Sequence, residues 1–202
     1  TSQYDVIASI FNRLGGLSHR AGNLAQASEY TRKSLVLREE IGDIVGMARS
    51  YNNLGLLAYH LGDWDSALQN YKKVLELQTR IGDVEALAIS YLNIATLQVD
   101  LGAFPEAAAN LTHSMEAAQQ TGALFHVAVA QMTFGRLALS QSDPGDALER
   151  LNASLEIFLK LGVQENLVDV YHLLGEVSLS VGDLETAEAW AQRSIELITS
   201  MG

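Results

Sequence analysis

The sequence predicts an all-α protein, a stack of five helix-turn-helix hairpins giving about ten antiparallel helices in 202 residues. Three observations carry this expectation. Turn glycines fall every 20 residues: Gly22, Gly62, Gly102 and Gly182 on a spacing of 40 with Ser142 filling the gap, and Gly42, Gly82, Gly122, Gly162 and Gly202 offset by 20. Glycine accepts the left-handed conformation that ends a helix, so each marks a stop. The segments between them are helix-length, about 16 to 18 residues, with apolar side chains at three- and four-residue spacing. Small residues recur in phase, Gly15, Gly55, Ala95, Gly135 and Gly175 in the first helix of each pair and Ala27, Ala67, Ala107, Ala147 and Ala187 in the second. A mid-helix glycine costs roughly 1 kcal/mol against alanine. Keeping a small residue there in every unit implies that paired helices touch at that point.

In chain order the predicted helices cover 4–21, 24–41, 44–61, 64–81, 84–101, 104–121, 124–141, 144–161, 164–181 and 184–200. They form hairpins over 4–41, 44–81, 84–121, 124–161 and 164–201 of one domain, 1–202. Leu14, Leu54, Ile94, Phe134 and Leu174 are the expected core of the first helices, with an aromatic one turn earlier at Phe11, Tyr51, Tyr91 and Tyr171 and Gln131 as the exception. Leu35, Leu75, Met115, Leu155 and Ile195 are the second helices' share. In the fourth unit "SDPGDA" replaces the Gly-Asp turn; Asp143 suits an N-cap and Pro144 the first helical position, and Pro105 plays a similar part in its helix. The final helix, with Leu184, Trp190, Ile195, Leu197, Ile198 and Met201, lacks the polar outer face of a terminal cap. An array that continues, or an end that pairs with another molecule, is therefore expected. The missing initiator Met and the stop at a repeat boundary suit a fragment of a longer protein.

Aromatic, two residues, Leu-Gly, seven residues to Gly-Asp, then Ala five later: "YNNLGLLAYHLGDWDSA" resembles the tetratricopeptide repeat. The usual period of about 34 residues is lengthened to 40 here, the extra residues lying between units around "LQTRIGDVEALA". This variety is similar to the repeats of kinesin light chains, of the Leu-Gly-Asn scaffolds that orient mitotic spindles, and of arrays fused to bacterial signalling proteins. The resemblance implies a right-handed superhelical solenoid with a concave groove for a protein segment. HEAT and armadillo repeats lack the small-residue pair at Gly55 and Ala67, and the "WD" at Trp64-Asp65 is not accompanied by the four strands of a propeller blade.

Composition narrows the function. Twenty-four acidic against thirteen basic residues give a net charge of −11, a field that repels phosphate backbones, so nucleic acid is not an expected partner. Residues 1–101 carry nine Lys/Arg and eleven Asp/Glu, residues 102–202 four and thirteen. No apolar run approaches a membrane span, and the opening "TSQYDVIASIF" lacks the basic region and apolar stretch of a signal peptide, so none is expected. Zero cysteines exclude disulfides and thiolate catalysis and suit a cytoplasmic setting. His19, His60, His113, His126 and His172 form no HExxH or other metal-ligand spacing, and no Gly-rich phosphate loop or Gly-x-Ser-x-Gly elbow occurs. Glu39-Glu40 sit at an exposed helix end. The sequons at Asn110 and Asn152 fall inside predicted helices of a chain without a signal peptide. No enzyme activity and no cofactor are expected.

The resemblance places the ligand on the first helix of each pair. Carried over by position, the groove residues are Asn12, His19 and Arg20 in unit one, and Arg49, Asn52, Asn53, Leu56, Tyr59 and His60 in unit two. Unit three gives Leu92, Asn93 and Thr96, unit four Val129, Met132 and Arg136, and unit five Asp169, His172 and Glu176. Amides can donate and accept together, so Asn53 and Asn93 suit a peptide backbone. Arg20 and Arg49 suit an acidic group, Leu92, Val129 and Met132 apolar anchors, and the unit-five carboxylates a basic segment. Thr133 and Leu173 stand where the pattern has Asn. The expected function is a non-catalytic scaffold that binds a protein or peptide; the alternatives are a regulatory sensor module of a larger signalling or transcription-regulating protein, and self-association through the terminal helices.

Overall fold

A computed structural model describes residues 3–201. Among the described residues there are ten α-helices and no strands: α1 (Gln3–Arg20), α2 (Leu24–Ile41), α3 (Ile44–His60), α4 (Trp64–Ile81), α5 (Val84–Asp100), α6 (Phe104–Thr121), α7 (Leu124–Ser140), α8 (Pro144–Leu161), α9 (Gln164–Ser180) and α10 (Leu184–Met201). Every boundary falls within one residue of the position the sequence predicts. Gly202, the last of the glycine series, lies outside the described residues. The chain forms two compact units, Thr1–Leu97 and Gln98–Gly202. Within the first, α1 packs on α2, α2 on α3 and α3 on α4; within the second, α6 packs on α7, α7 on α8, α8 on α9 and α9 on α10.

The turns explain the precision of these limits. Gly62 adopts φ +74°, its N–H donates to the Tyr59 carbonyl (3.0 Å) and that of Asp63 to the Ala58 carbonyl (2.9 Å), closing the orphan carbonyls of α3. Asp63 then accepts from the Ser66 backbone N–H at 3.2 Å and caps α4. One Gly-Asp pair thus ends one helix and starts the next. In the fourth unit Ser142 takes the left-handed place at φ +61°, Asp143 donates to Ala138 O at 2.9 Å and caps α8 through the Asp146 N–H at 3.1 Å.

Small residues set the spacing inside each hairpin. Ala27, Ala67, Ala107 and Ala147 are completely buried and Ala187 nearly so. A Cβ on Gly55 would lie 2.5 Å from the buried Tyr71 ring, whereas one on Gly175 would meet nothing nearer than 3.8 Å. Burial pushes the Tyr71 phenol up to about 12. Ser34 and Ser154, fully buried, each donate at 2.8 Å to a carbonyl of the paired helix, Ala8 and Ala128. In the second unit Phe158, Leu151, Val170 and Leu174 form a continuous core across α8 and α9.

Several expected core positions are only half-buried, Leu14 and Phe134 among them; the Phe134 ring carries the Arg150 guanidinium 5.0 Å from its centroid. Ile195, expected in the core, is exposed, whereas of its counterparts Leu35 is buried and Leu75, Met115 and Leu155 are half-buried. Trp190 and Leu197 pack on the core of the second unit, while Leu184, Ile198 and Met201 face outward.

One contact was not foreseen. Arg38, buried in α2, pairs with the Asp43 carboxylate, donates from Nη2 to Ser9 Oγ (3.3 Å), and lies 4.0 Å from Asp5. Asp43 also caps α3 through the Gly46 N–H at 2.9 Å. A Cβ at Gly46 would collide with the guanidinium.

Ser142→Gly is expected to stabilise the protein by about 0.5–1 kcal/mol, relief of roughly 1–2 kcal/mol of left-handed strain being partly offset by glycine's freedom when unfolded; thermal melting read by circular dichroism checks it. The same measurement separates two further glycines. Gly55→Ala should cost about 1–2 kcal/mol, because overpacking against Tyr71 outweighs helix propensity; Gly175→Ala should gain about 0.5–1 kcal/mol. The carboxyls of Asp63 and Asp183 are held below their ordinary range by the side chains and then the backbone N–H groups of Ser66 and Thr186. Their caps contribute fully above the ordinary aspartate value of about 3.9 and are lost as pH falls through the lower folded value. Asp63→Asn with Asp183→Asn, which cap without titrating, should therefore shrink the drop in melting temperature between neutral and strongly acid solution.

Candidate functional site

In the unit Thr1–Leu97 the first helices meet along a line of polar side chains. Asn53 Nδ2 on α3 donates to Asn12 Oδ1 on α1 at 3.1 Å, and Asn93 Nδ2 on α5 donates to Asn52 Oδ1 on α3 at 2.9 Å. Two turns beyond the first of these, the His19 and His60 rings stack with centroids 5.3 Å apart, and Tyr59 meets His60 edge-on at 5.7 Å. Each of the three cross-helix pairs is separated by 41 residues, one more than the repeat. That offset is the rotation by which adjacent first helices face each other.

The asparagine pairing is directional. It leaves the amide NH2 groups of Asn12 and Asn52 and the amide oxygens of Asn53 and Asn93 for further bonds. All four are half-buried. A hollow of about 60 Å³ beside them is lined by Gly16, His19, Asn53 and Leu56. Arg20 and Arg49 are exposed, and among the described residues neither is paired with a carboxylate. The face therefore combines neutral donors and acceptors at its centre with unneutralised cations at its margin.

The remaining expected residues are dispersed. Leu92, expected to seat an apolar anchor, is only 7 % exposed and belongs to the core; the apolar surface there is offered by Leu56 and Ile89. Thr96 is half-buried. In the other unit Val129 and Met132 are partly buried against the core, and Arg136 Nη2 is engaged by Asp100 at 3.4 Å. Asp169, His172 and Glu176 are exposed on α9, with His172 Nε2 3.4 Å from Glu176 Oε1. Partial burial raises the Asp169 carboxyl above its ordinary value, the nearby His172 working against it.

Sequence reasoning missed two features. The pairing of the asparagines with each other was legible as a recurrence at 41 rather than 40. A larger cleft of about 600 Å³ between α2 and α4 was not, since it depends on how far those helices diverge; Arg32, Tyr51, Lys73 and Glu76 line it, and Tyr51 donates to Glu39 Oε1 at 3.0 Å. Among the described residues no three His, Asp or Glu side chains form a group able to hold a metal ion, and no helix is long and apolar enough to cross a membrane.

No curated protein matches the chain by sequence. Among solved structures it is similar to a Rap protein complexed with competence and sporulation factor (TM-score 0.87, 16 % identity, covering 98 % of this chain and 56 % of that one). It is also similar to the Rap conjugation gene regulator of plasmid pLS20 in complex with the Phr* peptide (0.84, 15 %, 96 % and 54 %). A signal transduction ATPase with a tetratricopeptide repeat sensor from Pyrococcus horikoshii is a further neighbour (0.80, 20 %, 98 % and 31 %). The chain thus spans about half the length of both Rap proteins and under a third of the ATPase. The sequence profile of the tetratricopeptide repeat matches residues 6–80, 46–120, 86–160 and 168–200. With three overlapping stretches and a fourth beyond them spanning nearly all five hairpins, the chain belongs to the tetratricopeptide repeat family.

Proposed function

We propose that this protein is a non-catalytic interaction module that holds an extended peptide segment of a protein partner on the asparagine-lined face of the unit Thr1–Leu97. The observation that carries the reading is the pair of asparagine bridges. An extended backbone offers an N–H and a C=O at every residue, and the bridges hold matching donors and acceptors in fixed orientation on successive first helices. Pre-organisation lowers the ordering cost of binding. Arg20 and Arg49, with the His19–His60 stack between the helices, favour an acidic segment. On the other unit, the Asp169 and Glu176 carboxylates suit a basic one. The cytoplasm is the proposed setting, in keeping with a cysteine-free chain.

A second reading makes the same face the sensor of a larger signalling or transcription-regulating protein. The Rap regulator solved with a peptide and the ATPase with a repeat sensor support it by likeness of fold.

Selection from a displayed random-peptide library tests the proposal. The protein should enrich acidic peptides, and Arg49→Glu combined with Asn53→Ala should weaken the best of them about 10- to 100-fold, equivalent to roughly 1.5–3 kcal/mol for a lost charge-assisted bond. Helicity should stay unchanged, and melting should fall by no more than loss of the single Asn53–Asn12 bond accounts for, about 0.5–1.5 kcal/mol. Equal binding by the variant would defeat the reading.

A further inference from the structure

We propose that the cleft between α2 and α4 binds a small aromatic carboxylate, at a site outside the asparagine-lined face. The repeat itself shows what is missing there. In the first hairpin the Phe11 and Tyr30 rings stack with centroids 6.1 Å apart, and Lys33 Nζ lies 5.8 Å from the Tyr30 centroid. In the fifth, Tyr171 stacks on Trp190 at 5.6 Å, and the Arg193 guanidinium lies 4.6 Å from the Trp190 centroid. Ring, ring and cation thus form one layered unit at the positions equivalent to 51, 70 and 73. The second hairpin keeps Tyr51 and Lys73 but has Asn70 in place of the middle ring. Asn70 Nδ2 is committed to its own helix, donating to the Ser66 carbonyl at 2.7 Å. The third hairpin also has an asparagine there, yet Asn110 reaches Gln98 Oε1 at 2.8 Å. Ala58 stands at the place of Gln98 and offers no such partner. The second hairpin is left with a cleft of about 600 Å³, a size that suits a small ligand.

The lining fits the group that would complete the layer. Leu54, Leu57 and Ala58, all buried, give the cleft an apolar base. Arg32, Lys72 and Lys73 supply positive charge around it, in a chain of net charge −11. The acidic side chains of the lining are already engaged. Glu76 Oε2 accepts from Lys73 Nζ at 3.0 Å, and Asp63 caps α4 through the Ser66 N–H at 3.2 Å. Lys72 has no carboxylate partner among the described residues. Arg32 and Lys72 occupy one repeat position, which holds Thr112, Asn152 and Gln192 further on, so only at this junction are both members of the pair charged. A ring laid on Tyr51 takes the part that Trp190 plays in the fifth hairpin, with Lys73 over it as Arg193 is there. The Lys73–Glu76 pair is compatible with that role, since Lys33 covers Tyr30 while paired with Glu29 at 2.5 Å. The ligand's carboxylate then neutralises Lys72 and Arg32.

Titration of the purified chain with naphthoate, followed by backbone amide NMR shifts, tests this. Saturable binding at millimolar concentration or below is expected, with the shifted amides confined to α2, α3 and α4. Neutral naphthamide and ring-saturated cyclohexanecarboxylate should each bind about tenfold more weakly, one for want of charge and the other of a flat ring. Lys72→Glu, at an exposed position, should weaken naphthoate about tenfold or more with helicity unchanged. Asn70→Trp, which supplies the ring from within the chain, should abolish binding without lowering the melting temperature. Absence of saturation, shifts centred on other helices, or undiminished binding by Asn70→Trp would overturn the proposal, as would equal affinity for naphthamide.

Discussion

The contact on which the other features depend is the touch between the two helices of each hairpin at a small residue. Where Gly55 lies against Tyr71 there is no room for a methyl group, so the helices come together at the separation their backbones permit. That separation sets how far each hairpin projects its remaining apolar side chains, and these make no core until the next hairpin covers them. Phe158 is wholly buried in a cluster to which both α7 and α9 contribute. Stability in such an array is a sum over neighbours, with each junction contributing its own term.

The inner face follows from the same geometry. Because adjacent first helices are offset by one residue beyond the repeat, amides on successive hairpins meet in pairs rather than standing alone. Asn12 with Asn53 and Asn52 with Asn93 are thereby fixed in orientation. The four remaining polar groups point where the pairing leaves them. Electrostatics then differs between the two units: unpaired arginines in the first, exposed carboxylates on α9 in the second.

Features encoded within a few residues were readable from sequence. Gly62 and Asp63 announce a helix end and a helix start through local chemistry, and the substitution at Ser142 was recoverable because Asp143 and Pro144 preserve the cap. The period itself predicted all ten helices, since repetition turns weak local signals into a strong one. Features that depend on rotation about a helix axis were not readable. Leu92 and Ile89 sit one turn apart on α5, and only tertiary placement decides that the first is core and the second surface. Arg38 escaped notice because a lone arginine in an amphipathic helix looks solvent-facing until Asp43 and Ser9 are brought around it.

That arginine makes the hairpins non-interchangeable. Gly46 is vacant of side chain because the guanidinium occupies its space; Ala86, His126 and Asn166 hold the equivalent places in later units. Transplanting any of them behind the opening hairpin would drive a side chain into a buried cation, and the last two would also bring Ala123 or Val163 to the place of Asp43. The first two hairpins are thus an inseparable couple, and a chain otherwise built of near-copies has a fixed beginning to its word order.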